Sequence, residues 1–179
     1  MMSIKKWERK IDEFMEQTKR MVYSMSDPDN YQPTAIFTVN DNDVALAVVP
    51  MNKHDVYTVV TNMAFQMQTE CIAVCMNSWI VISPRDEDYE KVENGKPRWV
   101  GPMPSQHPDR VEALQLWASY GDKQMQLMVP YDRQKNGKVK NFQEEIRMSF
   151  NDEEAEVVNY LWDAAIERMR SKDFKPWKG

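Results

Sequence analysis

Apolar and polar residues alternate most clearly between Leu114 and Val129. Gly121-Asp122 lies midway and reads as a two-residue β-turn with glycine at its first central position. A turn there sets Leu114 opposite Val129, Leu116 opposite Leu127 and Ala118 opposite Met125, all on one side of a sheet. The other side receives Gln115, Ser119, Gln124 and Gln126, with Trp117 and Met128 among them. The turn chemistry and the hydrophobic period thus specify the same register.

Helical spacing governs three other stretches. From Ser3 to about Ser24, Ile4, Trp7, Ile11, Phe14, Met15, Thr18 and Met21 recur three and four apart, and Ser26-Asp27-Pro28 stops the helix. From Asn52 to Gln68, the stripe Val56, Val59, Val60, Met63, Ala64 and Met67 predicts a helix lying flat on a sheet, capped by Asn52. A last helix begins at Asn151-Asp152-Glu153-Glu154, with Ala155, Val158, Leu161, Trp162, Ala165 and Met169 on its apolar face. A tail over 173–179 reads as loose.

Between the helices lie β-branched runs. Thr34–Val39 and Val44–Val49 flank Asn40-Asp41-Asn42-Asp43, a turn cluster lacking the glycine and glutamate spacing of a calcium loop. Cys71–Ile82 is nearly continuous hydrophobe, the mark of a strand covered on both faces, with Asn77-Ser78 marking either a bend, a bulge or a tight turn. Asn141–Phe150 fits a helix or an edge strand equally. The expected fold is α+β: one domain over 1–179, a single antiparallel sheet of about five strands with helices on its faces, in the order α-β-β-α-β-β-β-α. Roadblock and profilin-like proteins share that order, an analogy of elements only. The hairpin's apolar face is expected to cover the second helix.

The connection from Ser83 to Asp109 breaks this economy. Connections beyond about 12–15 residues are uncommon in compact domains and tend to be functional or disordered. Asn94-Gly95 can turn Tyr89–Val92 back on Arg98–Val100, and Trp99, Val100 and Met103 suit packing onto the body.

Composition narrows the function. The chain has 179 residues, 42% of them hydrophobic, and a net charge of −5. That balance argues against phosphate-driven nucleic-acid binding. No apolar run is long enough for a membrane span or a secretory leader, so neither membrane nor export is expected. Cys71 and Cys75 sit four apart on a strand, roughly 13 Å at about 3.3 Å per residue, too far for a disulfide. Reduced core thiols and a cytoplasmic location follow. With five glycines and no phosphate-loop, dinucleotide or nucleophile-elbow motif, no cofactor is expected.

One constellation carries chemistry. His107-Pro108-Asp109-Arg110-x-Glu112 gathers imidazole, carboxylates and guanidinium where the long connection enters a strand. His107, Asp109 and Glu112 are the candidate catalytic residues, as acid, base or ligands of a hydrolytic or metal-dependent enzyme. Against this, no second histidine cluster supplies further ligands, so no metal site is assigned. Read as a binding surface, the same stretch offers Ser105, His107, Asp109 and Arg110, with Trp99 beside them.

The segment P-S-Q-H-P-D-R-V-E-A-L, with S-W-I-V upstream, resembles small uncharacterised bacterial and phage proteins over roughly Cys71 to Leu114. Asn77-Ser78-Trp79 departs from the acidic residue that pattern carries. The resemblance implies no activity and suggests a phage or mobile-element setting. The leading expectation is a small binding or regulatory protein acting through protein contacts, including a homodimer through a sheet edge or helix face. An enzyme centred on His107, Asp109 and Glu112 is the first alternative, and a phage structural or assembly component the second.

Overall fold

The computed structural model describes residues 2–39, 42–48, 53–69, 71–91, 97–121 and 123–151. The final helix and tail expected from the sequence lie outside these residues. Helix α1 spans Ile4–Ser24, opened by Ser3, whose hydroxyl accepts the Lys6 N–H at 3.3 Å. Strands β1 (Thr34–Val39) and β2 (Asn42–Ala47) form the first hairpin, and helix α2 spans Lys53–Gln66. Strand β3 runs unbroken over Cys71–Val81, so Asn77-Ser78 is neither a turn nor a break. The short β4 (Tyr89–Lys91) and β5 (Pro97–Trp99) pair with each other. Strands β6 (Arg110–Tyr120) and β7 (Lys123–Arg133) follow, then β8 (Val139–Phe142) and β9 (Ile146–Asn151).

The main sheet is antiparallel with seven strands, in the order β2-β1-β3-β6-β7, and β8 and β9 both pair with β7. The α+β class holds. The sheet is larger than the five strands expected, because Asn141–Phe150 resolves as strand. Pro130 explains the division of that stretch. It has no N–H to give a ladder, so the pairing is interrupted beside it, and the Gln143 N–H reaches the Pro130 carbonyl at 2.8 Å between β8 and β9.

The β6–β7 hairpin has the expected register: Leu114 faces Val129, Leu116 faces Leu127 and Ala118 faces Met125. Gly121 takes φ +59°, a conformation that suits glycine. Its apolar face, however, packs under α1 rather than α2. Trp7, Ile11, Phe14, Met15 and Val22 form one core with Leu114, Leu116, Leu127 and Val129. On α1 the buried stripe includes Val22, whereas Ile4 and Met21 are exposed.

The second core lies on the opposite face. There Val56, Tyr57, Val60 and Ala64 of α2 pack with Ala35, Phe37, Ile72, Val74, Met76 and Trp117. Strand β3 serves both cores by its alternation. Cys71, Ala73 and Cys75 face α1, and Ile72, Val74 and Met76 face α2. Cys71 and Cys75 form no disulfide and are buried, as the spacing requires.

Candidate functional site

The described parts of the long connection, 83–91 and 97–109, meet around a buried polar pair. A 3-10 turn at Asp86–Asp88 leads into β4, and the β4–β5 register sets Tyr89 opposite Trp99. The expected pairing of Tyr89–Val92 with Arg98–Val100 is present as Tyr89–Lys91 against Pro97–Trp99, and the Asn94-Gly95 turn lies outside the described residues. Asp88 is 3% exposed and His107 1%. His107 Nδ1 accepts the Asp109 backbone N–H at 3.0 Å, which leaves the ring proton on Nε2. Nε2 therefore donates to Asp88 Oδ2 at 3.1 Å. The same oxygen accepts the Arg85 backbone N–H at 2.7 Å.

The backbone closes around this carboxylate. The Asp88 carbonyl accepts N–H groups from Val100 (2.8 Å) and Gly101 (3.2 Å). Glycine is required at 101 for space: a Cβ there would lie 2.5 Å from Asp88 Oδ1. Trp99 covers the imidazole at 6.0 Å between ring centres and donates its indole N–H to the Pro102 carbonyl at 3.2 Å. Outside the pair, Arg85 Nε donates to Asp109 Oδ2 at 2.7 Å. That guanidinium holds the Asp109 carboxyl below its ordinary range.

Glu112 belongs to a different cluster. Arg133 grips it with two parallel hydrogen bonds, Nε to Oε2 at 2.6 Å and Nη2 to Oε1 at 2.5 Å. The same guanidinium reaches Asp29 at 2.6 Å and Asp27 at 3.0 Å. Three carboxylates around one cation push the Arg133 pKa further up, Glu112 first among them. Asn77 links this cluster to the core, donating to Asp29 and accepting the Tyr131 hydroxyl at 2.8 Å. Burial, then the charge of Glu112, pushes Tyr131 up to about 12.

The structure thus brings His107 and Asp109 together and engages Glu112 elsewhere. Neither imidazole nitrogen is left to accept a substrate proton or bind an ion. Among the described residues, no three His, Cys, Asp or Glu side chains are placed to hold a metal. Of the remaining candidates, Ser105 is exposed in the 3-10 turn Pro104–Gln106, Arg110 lies over the Trp79 ring at 4.8 Å, and Trp99 is half-buried against Tyr89. Sequence reading missed Asp88 and Arg133. Gly101, one of few glycines, was the one signal for a close approach at Asp88; nothing marked Arg133.

The segment also displays apolar surface. Ile82, Tyr89, Val100 and Met103 are 44%, 37%, 46% and 60% exposed on a stretch whose backbone is pinned at Asp88 and His107. Among the described residues no helix is long and apolar enough to cross a membrane. Comparison with protein-family models, curated proteins and solved structures finds nothing that matches this chain.

Proposed function

We propose that this is a binding or regulatory protein whose contact surface is the 82–103 segment, presented to a protein partner. One observation carries the reading. His107 and Asp109, two of the groups that looked catalytic, are consumed in holding this segment and Glu112 in the Arg133 cluster, while the segment turns apolar side chains outward. Exposed apolar side chains recurring on the described parts of one segment favour a protein contact. A fixed backbone lowers the ordering cost of binding. A second copy of the chain is one such partner.

The test is a photocrosslinking amino acid at Met103, with a control at Arg20 on α1. The expected result is one discrete adduct, a partner or a second copy, from position 103 alone. Val100→Glu should abolish it without lowering Tm. Equal adducts from both positions, or an adduct indifferent to Val100→Glu, would overturn the proposal. Turnover lost on His107→Gln at unchanged Tm would favour the enzyme instead.

A further inference from the structure

The two edges of the main sheet are built differently. Exposed edge strands invite pairing with another chain, and folded proteins guard them with Lys, Pro or a bulge. At the β8–β9 edge, Lys140 and Arg147 are exposed, and the pairing with β7 shifts register between Asp132 and Arg133. Strand β2 closes the opposite edge and, among the described residues, pairs with β1 alone, in unbroken register. Asn42–Ala47 contains no Lys, Arg or Pro, and Asp43, Val44, Ala45 and Ala47 are exposed.

The register shows which backbone groups this edge presents. The Val48 N–H reaches the Pro33 carbonyl at 2.6 Å, so the even-numbered residues of β2 turn their N–H and C=O groups towards β1. The odd-numbered ones, Asp43, Ala45 and Ala47, turn theirs outward. Their side chains lie on the α1 face, and those of Val44 and Leu46 on the α2 face. A charge on an edge strand repels a copy of itself. Asp43, the sole charged residue of β2, is instead answered within its own chain. Lys10 Nζ donates to Asp43 Oδ2 at 2.5 Å, and the Thr38 hydroxyl donates to Oδ1 at 2.7 Å.

We propose that two copies of this chain join their sheets through β2, antiparallel about a two-fold axis at Ala45. In that register Ala45 pairs with Ala45 of the second copy, and Asp43 with Ala47 of the second copy. Each such pair exchanges two hydrogen bonds, so every outward N–H and C=O of the three residues is used. No other register within Asn42–Ala47 pairs all three. Val44, 38% exposed, meets Leu46 of the second copy, which already packs on the second core. No like charges stand opposed. A ladder this short places the dimer in the small, concentration-dependent class. It shares no residue with the 82–103 surface.

Amide hydrogen exchange of the full chain, from micromolar to millimolar concentration, tests the register. The Asp43, Ala45 and Ala47 amides should slow several-fold as concentration rises, while those of Val44 and Leu46, already bonded to β1, should not change. Ala45→Lys and Ala45→Glu each oppose like charges at the axis. Each alone should stay monomeric by light scattering and keep its circular dichroism. An equimolar mixture of the two should recover the dimer, which misfolded variants would not do. Val100→Glu should leave the dimer intact. A monomer at every concentration, a dimer retained by Ala45→Lys alone or lost on Val100→Glu, or no dimer in the mixture would each overturn the proposal.

Discussion

His107 Nε2 donates to Asp88 Oδ2 at 3.1 Å, and both side chains are withdrawn from solvent. The two residues bracket the long connection and tie its beginning to its end. Removing one partner leaves a buried polar group uncompensated. His107→Ala should therefore destabilise the chain by about 2–4 kcal/mol in urea unfolding. Trypsin should also cut earlier at Arg85, Lys91 and Arg98 than in the native protein. A loss below about 0.5 kcal/mol with unchanged cleavage would show that the pair does not hold the segment.

Two glycines should respond differently to alanine. At Gly101 the added Cβ meets a carboxylate fixed by His107 and Arg85, so the cost is overpacking, about 1–3 kcal/mol. At Gly121 nothing lies within 4 Å, and φ +59° sets the cost at about 1 kcal/mol of backbone strain. Asp88→Ala in the Gly101→Ala background should recover the steric part at 101 and leave any cost at Gly121 untouched. Denaturation midpoints of these three variants and of Asp88→Ala alone decide it.

Arg133→Lys keeps the charge and loses the forked geometry, and should cost about 1–2 kcal/mol. Arg133→Leu strands Glu112 among the other carboxylates and should cost about 2–4 kcal/mol. A double-mutant cycle with Glu112→Gln should show a coupling above about 1 kcal/mol. Additive single effects would mean the two bonds to Glu112 are energetically idle.

Alkali should unfold this protein through its buried acids. Burial first, then neighbouring charge, raises Tyr131 to about 12 from its ordinary 10.0, and burial raises the Cys75 thiol to about 12 from 9.0. A folded value above the unfolded one favours the protonated, folded form, so this stability is complete below about pH 9 and is lost as pH climbs towards 12. Tyrosine absorbance should show late-ionising hydroxyls, coincident with unfolding, of which Tyr131→Phe removes one and leaves Tyr31, which burial also raises. Free ionisation of every tyrosine near pH 10 in the folded chain would contradict the burial.

Local rules made much of this fold legible. The turn at Gly121 and the alternation around it suffice to set the eight cross-strand pairs of the β6–β7 hairpin. Ser3 and the spacing from Trp7 to Thr18 placed α1, and Val56, Val60 and Ala64 placed the inner face of α2. Which helix covered which face was not legible, because period-two alternation defines two faces without naming their partners. Asn141–Phe150 stayed open between helix and edge strand because Phe142, Ile146 and Phe150 also satisfy a helical period, and pairing with β7 decides for strand. At the candidate site, the residue types were visible and their partners were not. His107 meets Asp88 from nineteen residues away, and Glu112 meets Arg133 from twenty-one, distances at which no local pattern speaks.

Strand β3 gives the molecule an arithmetic vulnerability. Its odd-numbered residues from Cys71 to Cys75 floor one core and its even-numbered ones from Ile72 to Met76 floor the other. Inserting a single residue before Cys71 can be absorbed by the preceding turn. Inserting one between Ala73 and Val74 would leave one half of the strand in phase and reverse the other, presenting each helix with side chains shaped for its opposite number. Parity along this strand, more than the identity of any one residue in it, keeps the two helices on their own sides.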